Sequence, residues 1–577
     1  MNAPALLFAI GWPFALAAGL LSRRLRPVAR SLAPWGALPM LVVALGGGGE
    51  AELHWLMLGG RLGLDWIATP LLPVTAGLWL AAGLFAQRYL DPGPRRDAFF
   101  TWFLAAMCGN LLLLAALDAV VFYLGFALMS FAAYGLVVHE GDRRARHAGH
   151  YYIALVVLGE ICIISALMLL AHRAPIDFVT LRESFLHPEA RHNDLVIGLL
   201  LAGFGIKAGI VGLHFWLPLA HPVAPAPASA VLSGAMIKAG LVGWMRLLPL
   251  GEMALPAWGA VFATLGLVTA FYGVLAGLPQ REAKTVLAYS SVSQMGVMTM
   301  AVGLGLAFPG EWPLLAAALL VYVVHHGLVK GGLFLGAGLA LHELRPAAAR
   351  LVAVALALGA LALAGGPLTG GLVAKLSLKH AAGLLAAPWG ATLPWLLSLS
   401  SVFTALLMLR FLQLAWPRTS EAAEPLPRGT WLPWLALLVA WWAGPWLLAE
   451  PATRVAALGF HASWSASWPV LLALALSLAA ARLHRAGRLP ALPSVPPGDA
   501  GIPLERSVTA AGRRLRHWAS EDLPRVRTAA GQLLGAVVRS GPGWALRLEH
   551  GEARVALWSV TACLLLLLAS VIAWLMA

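Results

Sequence analysis

The fold is decided by residues 203–246, which read GFGIKAGIVGLHFWLPLAHPVAPAPASAVLSGAMIKAGLVGWMR. Glycines crowd around Lys207, and prolines follow at positions 222, 225 and 227. Glycine and proline at this density weaken helical hydrogen bonding, which a membrane tolerates only beside buried protein or a water-filled cavity. The stretch therefore predicts two membrane helices, the first broken beside a buried lysine. A hydrated break of this kind is suited to taking up and releasing protons.

The rest of the chain has the composition of a polytopic membrane protein. Its 577 residues are 60% apolar and only 11% charged, whereas soluble domains carry about 25% charged residues. The even run of apolar segments favours one continuous helical bundle over several domains. Windows of about twenty apolar residues predict sixteen spans. They lie near residues 4–22, 31–47, 66–87, 98–117, 118–138, 150–171, 194–217, 224–248, 256–278, 284–306, 313–340, 351–386, 390–416, 430–449, 466–483 and 555–576.

Lysine is used almost only inside these spans. Of the forty lysines and arginines, six are lysine, and five of the six lie in strongly apolar stretches: Lys207, Lys238, Lys330, Lys375 and Lys379. A guanidinium stays charged in a protein, whereas desolvation allows an ammonium to lose its proton near neutral pH. Lysines near helix ends can instead extend to the headgroups, but Lys207 and Lys238 lie about a dozen residues from either end of their spans. The pattern is typical of proton transfer. The sixth lysine, Lys284, is predicted to be an ordinary cytoplasmic loop residue.

The loops alternate in charge, which predicts the orientation. Basic loops follow the first, third, fifth, ninth and eleventh spans, with Arg23, Arg24, Arg26, Arg30, Arg88, Arg95, Arg96, Arg143, Arg144, Arg146, Arg281, Arg345 and Arg350 among their residues. The positive-inside rule makes these loops cytoplasmic and places both termini on the outer side. The first apolar run lacks a basic leader, so it is predicted to be a retained span rather than a cleaved signal peptide.

Several function classes are disfavoured. The net charge of +14 is explained by the basic loops and the basic 482–554 segment, so anionic lipid is a better partner than nucleic acid. Cys108, Cys162 and Cys563 all fall in predicted spans without metal-type spacing. No phosphate loop, haem motif or nucleophile elbow is found. We therefore predict no metal and no cofactor, and any redox chemistry belongs to another subunit.

A second discontinuity lies in the twelfth span, where GGPLTGG (365–371) precedes Lys375 and Lys379. Interrupted helices at matching places in two halves of a chain indicate an inverted-repeat transporter and its site. Lys207 and Lys375 are then equivalent members of two half-channels.

Four motifs resemble those of the antiporter-like membrane subunits of respiratory complex I, membrane-bound hydrogenases and multisubunit sodium/proton antiporters. They are residues 207–246, LAYSSVSQMG (287–296), HHGLVKGGLFLGAG (325–338) and GPLTGGLVAK (366–375). The resemblance extends over roughly residues 60–415. It implies an all-α membrane protein with a fourteen-helix core. In that core, helices four to eight and nine to thirteen form inverted five-helix repeats with broken helices, each holding a proton half-channel. A polar axis of lysine, histidine and glutamate runs through the membrane centre.

The resemblance also assigns residues. It makes Lys207 the seventh-helix lysine, Lys238 the eighth-helix lysine, His326 and Lys330 the eleventh-helix pair, and Lys375 the terminal residue on the twelfth helix. Two positions depart from the family pattern. The fifth-helix glutamate that pairs with the seventh-helix lysine is replaced by Ala127, and the acidic residue that often follows Trp-Leu-Pro is Leu219.

A buried lysine without an anion is costly, so another carboxylate is expected. Glu160 is the only acidic residue deep in a span of this half, and we predict that it forms the ion pair with Lys207. Alternatively, it is protonated and plays no part in transfer. Separation of the pair would drive the proton from Lys207 to Lys238, then along His325, His326 and Lys330 to Lys375.

The remaining candidates have weaker support. Adjacent His325 and His326 cannot both face one cavity on a helix, and His326 ranks first. His214 and His221 line the cytoplasmic entrance or cap the broken helix. Lys379, one turn beyond Lys375, marks an exit route or extends to the headgroups.

The C-terminal part adds a Pro-rich linker, 488–503, and a basic amphipathic stretch, 504–540, predicted to be a lateral helix at the cytoplasmic interface. The sequence leaves two alternatives for this helix: it contacts a neighbouring subunit, or it binds only lipid. The chain is thus divided into helices one to three (1–97), the first repeat (98–250), the second repeat (251–416), helices fourteen and fifteen (417–487), the linker and lateral helix (488–554) and a terminal anchor (555–577).

Three functions remain open at this level. The first is a proton-translocating subunit of a complex I-like or hydrogenase-like complex in the bacterial inner membrane, with other membrane subunits and a peripheral redox module as partners. The second is a cation/proton antiporter subunit or a proton-coupled module for another substrate, such as inorganic carbon. The third is a scaffold whose half-channel is inactive at Ala127.

Overall fold

The computed structural model of the chain describes residues 3–54, 56, 59–186, 193–386, 389–425, 427–488 and 495–498. The chain divides into two units, Met1–Gly498 and Asp499–Ala577. The predicted lateral helix, 504–540, and the anchor span, 555–576, lie outside the described residues.

The described part is almost wholly helical. The first group consists of α1 (Ala3–Leu21), α2 (Arg26–Leu32), a 3₁₀ turn (Ala33–Trp35), α3 (Leu38–Leu45) and α4 (Ala68–Tyr89), with an antiparallel strand pair β1 (Ala51–Glu52) and β2 (Arg61–Leu62) between α3 and α4.

The middle of the chain forms the main bundle. It contains α5 (Pro94–Ala115), α6 (Ala119–Val137), α7 (Arg143–Ala171), α8 (Phe178–Glu183), a 3₁₀ turn (Ser184–Leu186), α9 (Asn193–Ala208), α10 (Trp216–Val223), α11 (Ala226–Val231), a π-helical turn (Leu232–Met236), α12 (Lys238–Leu247), α13 (Pro256–Gly277), α14 (Ala283–Ala307), a 3₁₀ turn (Pro309–Glu311) and α15 (Trp312–Leu339).

The last described helices are α16 (Pro346–Ala364), α17 (Gly370–Gly383), α18 (Trp389–Leu414), α19 (Arg428–Leu448), α20 (Pro451–Leu458) and α21 (Phe460–Arg485). The short strands β3 (Glu343–Leu344) and β4 (Arg418–Thr419) pair in parallel beside them.

Fourteen helices in the described part are long and apolar enough to cross a membrane. They match fourteen of the predicted spans. The seventh, 194–217, is built instead from two shorter helices, α9 and α10. The prediction of a polytopic helical membrane protein is confirmed.

Both predicted breaks are present, and each contains a left-handed glycine. Gly209 follows α9 with φ +74°, and Gly365 follows α16 with φ +79°. Glycine adopts this conformation without the steric cost that a Cβ atom brings. The twelfth predicted span, 351–386, is consequently two helices, α16 and α17. Each break leaves main-chain carbonyls at membrane depth that need donors.

Helices α5 and α6 pack backbone to backbone, as do α13 and α14. A Cβ on Gly109 would lie 2.4 Å from the Met129 nitrogen, and a Cβ on Gly266 would lie 2.4 Å from the Met300 nitrogen. Small residues at these crossings allow the close approach that packs membrane helices. The two pairs lie at the start of the two repeats predicted from the sequence, and the repeats themselves stay a prediction.

Candidate functional site

Lys207 lies in the last turn of α9, and its side chain is 3% exposed. Its amine donates hydrogen bonds to Ser130 Oγ at 3.1 Å and Tyr152 Oη at 3.3 Å. The rings of Phe126, Tyr152 and Trp216 surround it, with centroids 5.7 to 5.8 Å from Nζ. Aromatic faces attract a cation by about 0.5–2 kcal/mol each. The protein thus holds this ammonium in an aromatic cage, which the sequence analysis did not predict.

Glu160 is buried on α7, and it is electrostatically coupled to Lys207. The predicted direct ion pair is absent, because neither carboxylate oxygen has a hydrogen-bond partner among the described residues. The hydroxyls of Ser130 and Tyr123 lie near the carboxylate outside standard hydrogen-bond geometry. Ser130, whose hydroxyl accepts from Lys207, lies near both groups. The interaction is therefore indirect.

Lys238 and Lys330 occupy the bundle centre. Lys238 begins α12 and donates to the Ser233 carbonyl within the π-helical turn. Lys330, on α15, is 0% exposed and donates to the Leu287 carbonyl at 2.8 Å. An ammonium at this depth needs acceptor oxygens because no bulk water solvates it. Main-chain carbonyls supply these oxygens at both lysines.

The adjacent histidines on α15 face different lysines. His326 is buried and interacts electrostatically with Lys238 and Lys330. His325 interacts with Lys375, and its Nε2 would lie 3.0 Å from a Cβ placed on Gly371. Successive residues on a helix point in different directions. The two rings therefore stand between the central lysines and α17 rather than in one cavity.

Lys375 and Lys379 lie on α17, and both are half-buried. Lys375 Nζ donates to the Ala364 carbonyl at 2.9 Å, across the helix break, and to Ser401 Oγ at 3.0 Å. Both lysines line a cavity of about 20 Å³, whose remaining wall includes Ser465 of α21. That space suffices for about one water molecule.

His214 and His221 are fully buried. The His214 ring contacts Tyr272, with centroids 5.2 Å apart, and the His221 ring stacks on Phe334 at 4.5 Å. Neither ring reaches the surface, so the interpretation of these residues as the lining of an open entrance is not supported by this conformation. His214 lies between the break and α10, and His221 lies within α10. Packing against aromatic rings fixes both side chains.

Lys284 corrects another prediction. It is not a loop residue but lies in the first turn of α14, and its amine donates to the carbonyls of Ala224 at 2.6 Å and Pro222 at 3.4 Å. The carbonyl end of α10 has no helical continuation to supply donors. Lys284 therefore caps α10. The prolines of this segment and the use of lysine instead of arginine were signals that could have identified it.

The structure adds hydroxyl groups that the sequence analysis overlooked. They are those of Ser130, Tyr152, Ser233, Ser291 and Ser401. Serines are common in apolar spans, and hydropathy alone does not distinguish one that binds a lysine. Among the described residues, no group of three or more His, Cys, Asp or Glu side chains is arranged to hold a metal ion.

Comparison with known proteins gives the family. The family described as "NADH:quinone oxidoreductase/Mrp antiporter, TM" matches residues 116–408. The chain belongs to this family. The match includes all six lysines, Glu160 and both helix breaks, and the resemblance predicted from the four motifs is confirmed.

Relatives and a solved structure support this assignment. The chain is 31% identical to hydrogenase-4 component B of Escherichia coli (strain K12) over 264 residues, which cover 44% of this chain and 38% of that protein. It is 30% identical to NADH-quinone oxidoreductase subunit N of Desulforudis audaxviator over 290 residues, or 48% of this chain and 56% of the other. The chain therefore spans less than two thirds of the length of these curated relatives.

The fold is similar to a chain of the Mrp complex from Dietzia sp. DQ12-45-1b, with a TM-score of 0.74 and 22% identity. That comparison covers 96% of this chain and 66% of the other. At this level of identity the likeness concerns the fold alone.

Proposed function

We propose that this antiporter-like subunit translocates protons within a multisubunit energy-converting complex of the complex I or hydrogenase type. The observation that carries the proposal is a set of lysines within the helical bundle, each bound to hydroxyl or carbonyl oxygens: the buried Lys207, Lys238 and Lys330 and the half-buried Lys375. Intramembrane ionisable residues are costly to bury and therefore indicate function.

The mechanism is electrostatic. The protonated Lys207 amine is stabilised by the aromatic cage, by two hydroxyls and by the nearby charge of Glu160. A change that weakens the Glu160 interaction favours the neutral amine, because burial penalises the charged form. The released proton passes to Lys238 and then to Lys330, the two lysines that His326 faces, and onward through His325 to Lys375.

Substitution in the native complex tests this mechanism. In proteoliposomes containing a pH-sensitive dye, Lys207→Ala and Glu160→Gln should each reduce proton flux by about a hundredfold, the scale expected for loss of a positioned proton-transfer group. Glu421→Gln, at an exposed carboxylate, should leave flux unchanged. Unchanged flux in correctly assembled Lys207→Ala complex would favour the scaffold function instead.

A cation/proton antiporter subunit is the second candidate. It is favoured because the matching family includes the Mrp antiporter and because the fold is similar to a chain of an Mrp complex. A sodium gradient that drives proton flux through the purified complex would support it. Dependence on an electron donor, together with redox subunits identified by mass spectrometry, would support the energy-converting complex.

The bacterial relatives support a location in the inner membrane. The distribution of arginines supports an orientation with the basic loops in the cytoplasm and both termini outside. Cysteine labelling from either side of sealed vesicles tests the orientation. A substituted cysteine in the loop that precedes α7, residues 138–142, should react only from the cytoplasmic side.

A further inference from the structure

A pair of serine hydroxyls lies between the main-chain carbonyls that bind the two central lysines. Lys238 donates to the Ser233 carbonyl, and Ser233 Oγ lies 2.7 Å from Ser291 Oγ. Ser291 Oγ and Lys330 Nζ both donate to the Leu287 carbonyl, at 3.0 and 2.8 Å. Each amine therefore binds a main-chain carbonyl, and the Ser233 and Ser291 hydroxyls bind each other beside these two carbonyls.

Local backbone structure creates this arrangement. Ser233 lies in the π-helical turn between α11 and α12, and such turns widen a helix and often occur at functional sites. The turn packs directly on α15, since a Cβ on Gly327 would lie 2.7 Å from the Gly234 carbonyl oxygen. Ser291 comes from α14. Three helices therefore meet at the hydroxyl pair.

Both serines are fully buried, so their hydroxyls exchange no protons with bulk water in this conformation. Lys238 and Lys330 are close enough to interact electrostatically. Two ammonium groups in one low-dielectric region repel each other, so protonation of one lysine opposes protonation of the other. A single proton shared between the amines avoids this cost.

We propose that the Ser233–Ser291 hydroxyl pair is the junction through which Lys238 and Lys330 exchange that proton. The inference rests on the proposed function, because it concerns the same axis. As Lys238 loses a proton, each hydroxyl accepts one proton and gives up another, and Lys330 gains one. Both serines end neutral, and no other reactant is required. The transfer needs two changes of partner: Lys238 Nζ moves from the Ser233 carbonyl to the Ser233 hydroxyl, and Ser291 Oγ rotates from the Leu287 carbonyl toward Lys330.

Substitution of Ser291 tests the junction in the native complex. We expect Ser291→Ala to reduce proton flux by about tenfold or more, and Ser291→Thr, which keeps a hydroxyl, to recover most of it. Ser293→Ala is the matched control, because Ser293 is equally buried on α14 but donates to the Ala270 carbonyl at 2.7 Å, away from the lysines. It should change flux by less than about twofold.

A second readout separates transfer from folding. If the hydroxyls carry the proton, Ser233→Ala and Ser291→Ala should retain the assembly and thermal stability of Ser293→Ala while increasing the solvent deuterium isotope effect on flux. Wild-type flux in Ser291→Ala, or an equal loss in Ser293→Ala, would overturn the junction. The proposed function would still stand if Lys207→Ala abolished flux in the same preparation, and it would fail separately if that variant were fully active.

Discussion

The two broken helices hold their lysines by different means. Lys207 is enclosed by three aromatic rings and two hydroxyls, with a carboxylate nearby. Lys375 is half-buried, binds the Ala364 carbonyl across the break, and lines a cavity with room for about one water molecule. The first site stabilises its charge mainly with side chains, and the second with a helix end and space for water.

The two sites also differ in the sequence order of the lysine and the left-handed glycine. Lys207 precedes its left-handed glycine by two residues, whereas Lys375 follows Gly365 by ten. Lys375 Nζ binds the carbonyl end of α16, where the helix dipole favours positive charge, whereas the Lys207 amine binds hydroxyls of α6 and α7. The two lysines, which the sequence predicts to be equivalent members of two half-channels, therefore differ in their placement relative to the breaks.

The largest expected effect comes from the two lysines together. If the sites act in series, Lys375→Ala should reduce proton flux by about a hundredfold, as Lys207→Ala does, and the double variant should be no worse. Flux measurements in proteoliposomes check this. A double variant with a multiplicative loss would show that the two sites act independently.

The second largest effect concerns the Glu160 carboxylate, which lies near Lys207 and not near Lys375. Glu160→Gln should affect only the first site, and a second substitution, Ala127→Glu, should restore part of the flux because it places a carboxylate on α6 beside Lys207. Recovery of about tenfold is expected. Failure of Ala127→Glu to rescue a stable, assembled complex would show that the position of Glu160 on α7 is itself required.

Smaller effects are expected from the hydroxyls. Tyr152→Phe and Ser401→Ala each remove one acceptor from a lysine amine, and a hydrogen bond to a charged group contributes about 1.5–3 kcal/mol. Tyr152→Phe should reduce flux more, since the cavity beside Ser401 allows water to replace the lost oxygen. Equal losses in parallel assays would contradict the contrast between a dry site and a wet one.

The smallest effect concerns the breaks. Gly209→Ala and Gly365→Ala should each lower stability by about 1–3 kcal/mol, because alanine is strained in the left-handed conformation. At Gly209 the new Cβ would also lie 2.3 Å from Leu217 Cδ1. Thermal unfolding in detergent measures the loss. Ala239→Gly, on a regular part of α12, controls for the general effect of exchanging these residue types.

Much of the fold was predictable because the length and apolar composition of membrane helices identify them in a sequence. Fourteen predicted spans and both breaks followed from hydropathy and from glycine and proline. The lysines were identified because charge is rare at that depth. The aromatic cage and the roles of Ser130 and Lys284 were not identified, because they depend on which helices pack against each other. The ion pair was expected to be direct because sequence does not give the distance between α7 and α9.

The cavity beside Lys375 is walled in part by α21, whose residues lie beyond the matched family region of 116–408. Helix α21 thus limits the size of the space beside this lysine. The part of α21 that lines the cavity consists mainly of small side chains, those of Ala462, Ser465 and Ala466, which leave the space open. Exchange of one of them for a bulkier residue would narrow the space beside Lys375 without changing any residue of the matched region, so the surroundings of this amine can be altered from a distant part of the chain.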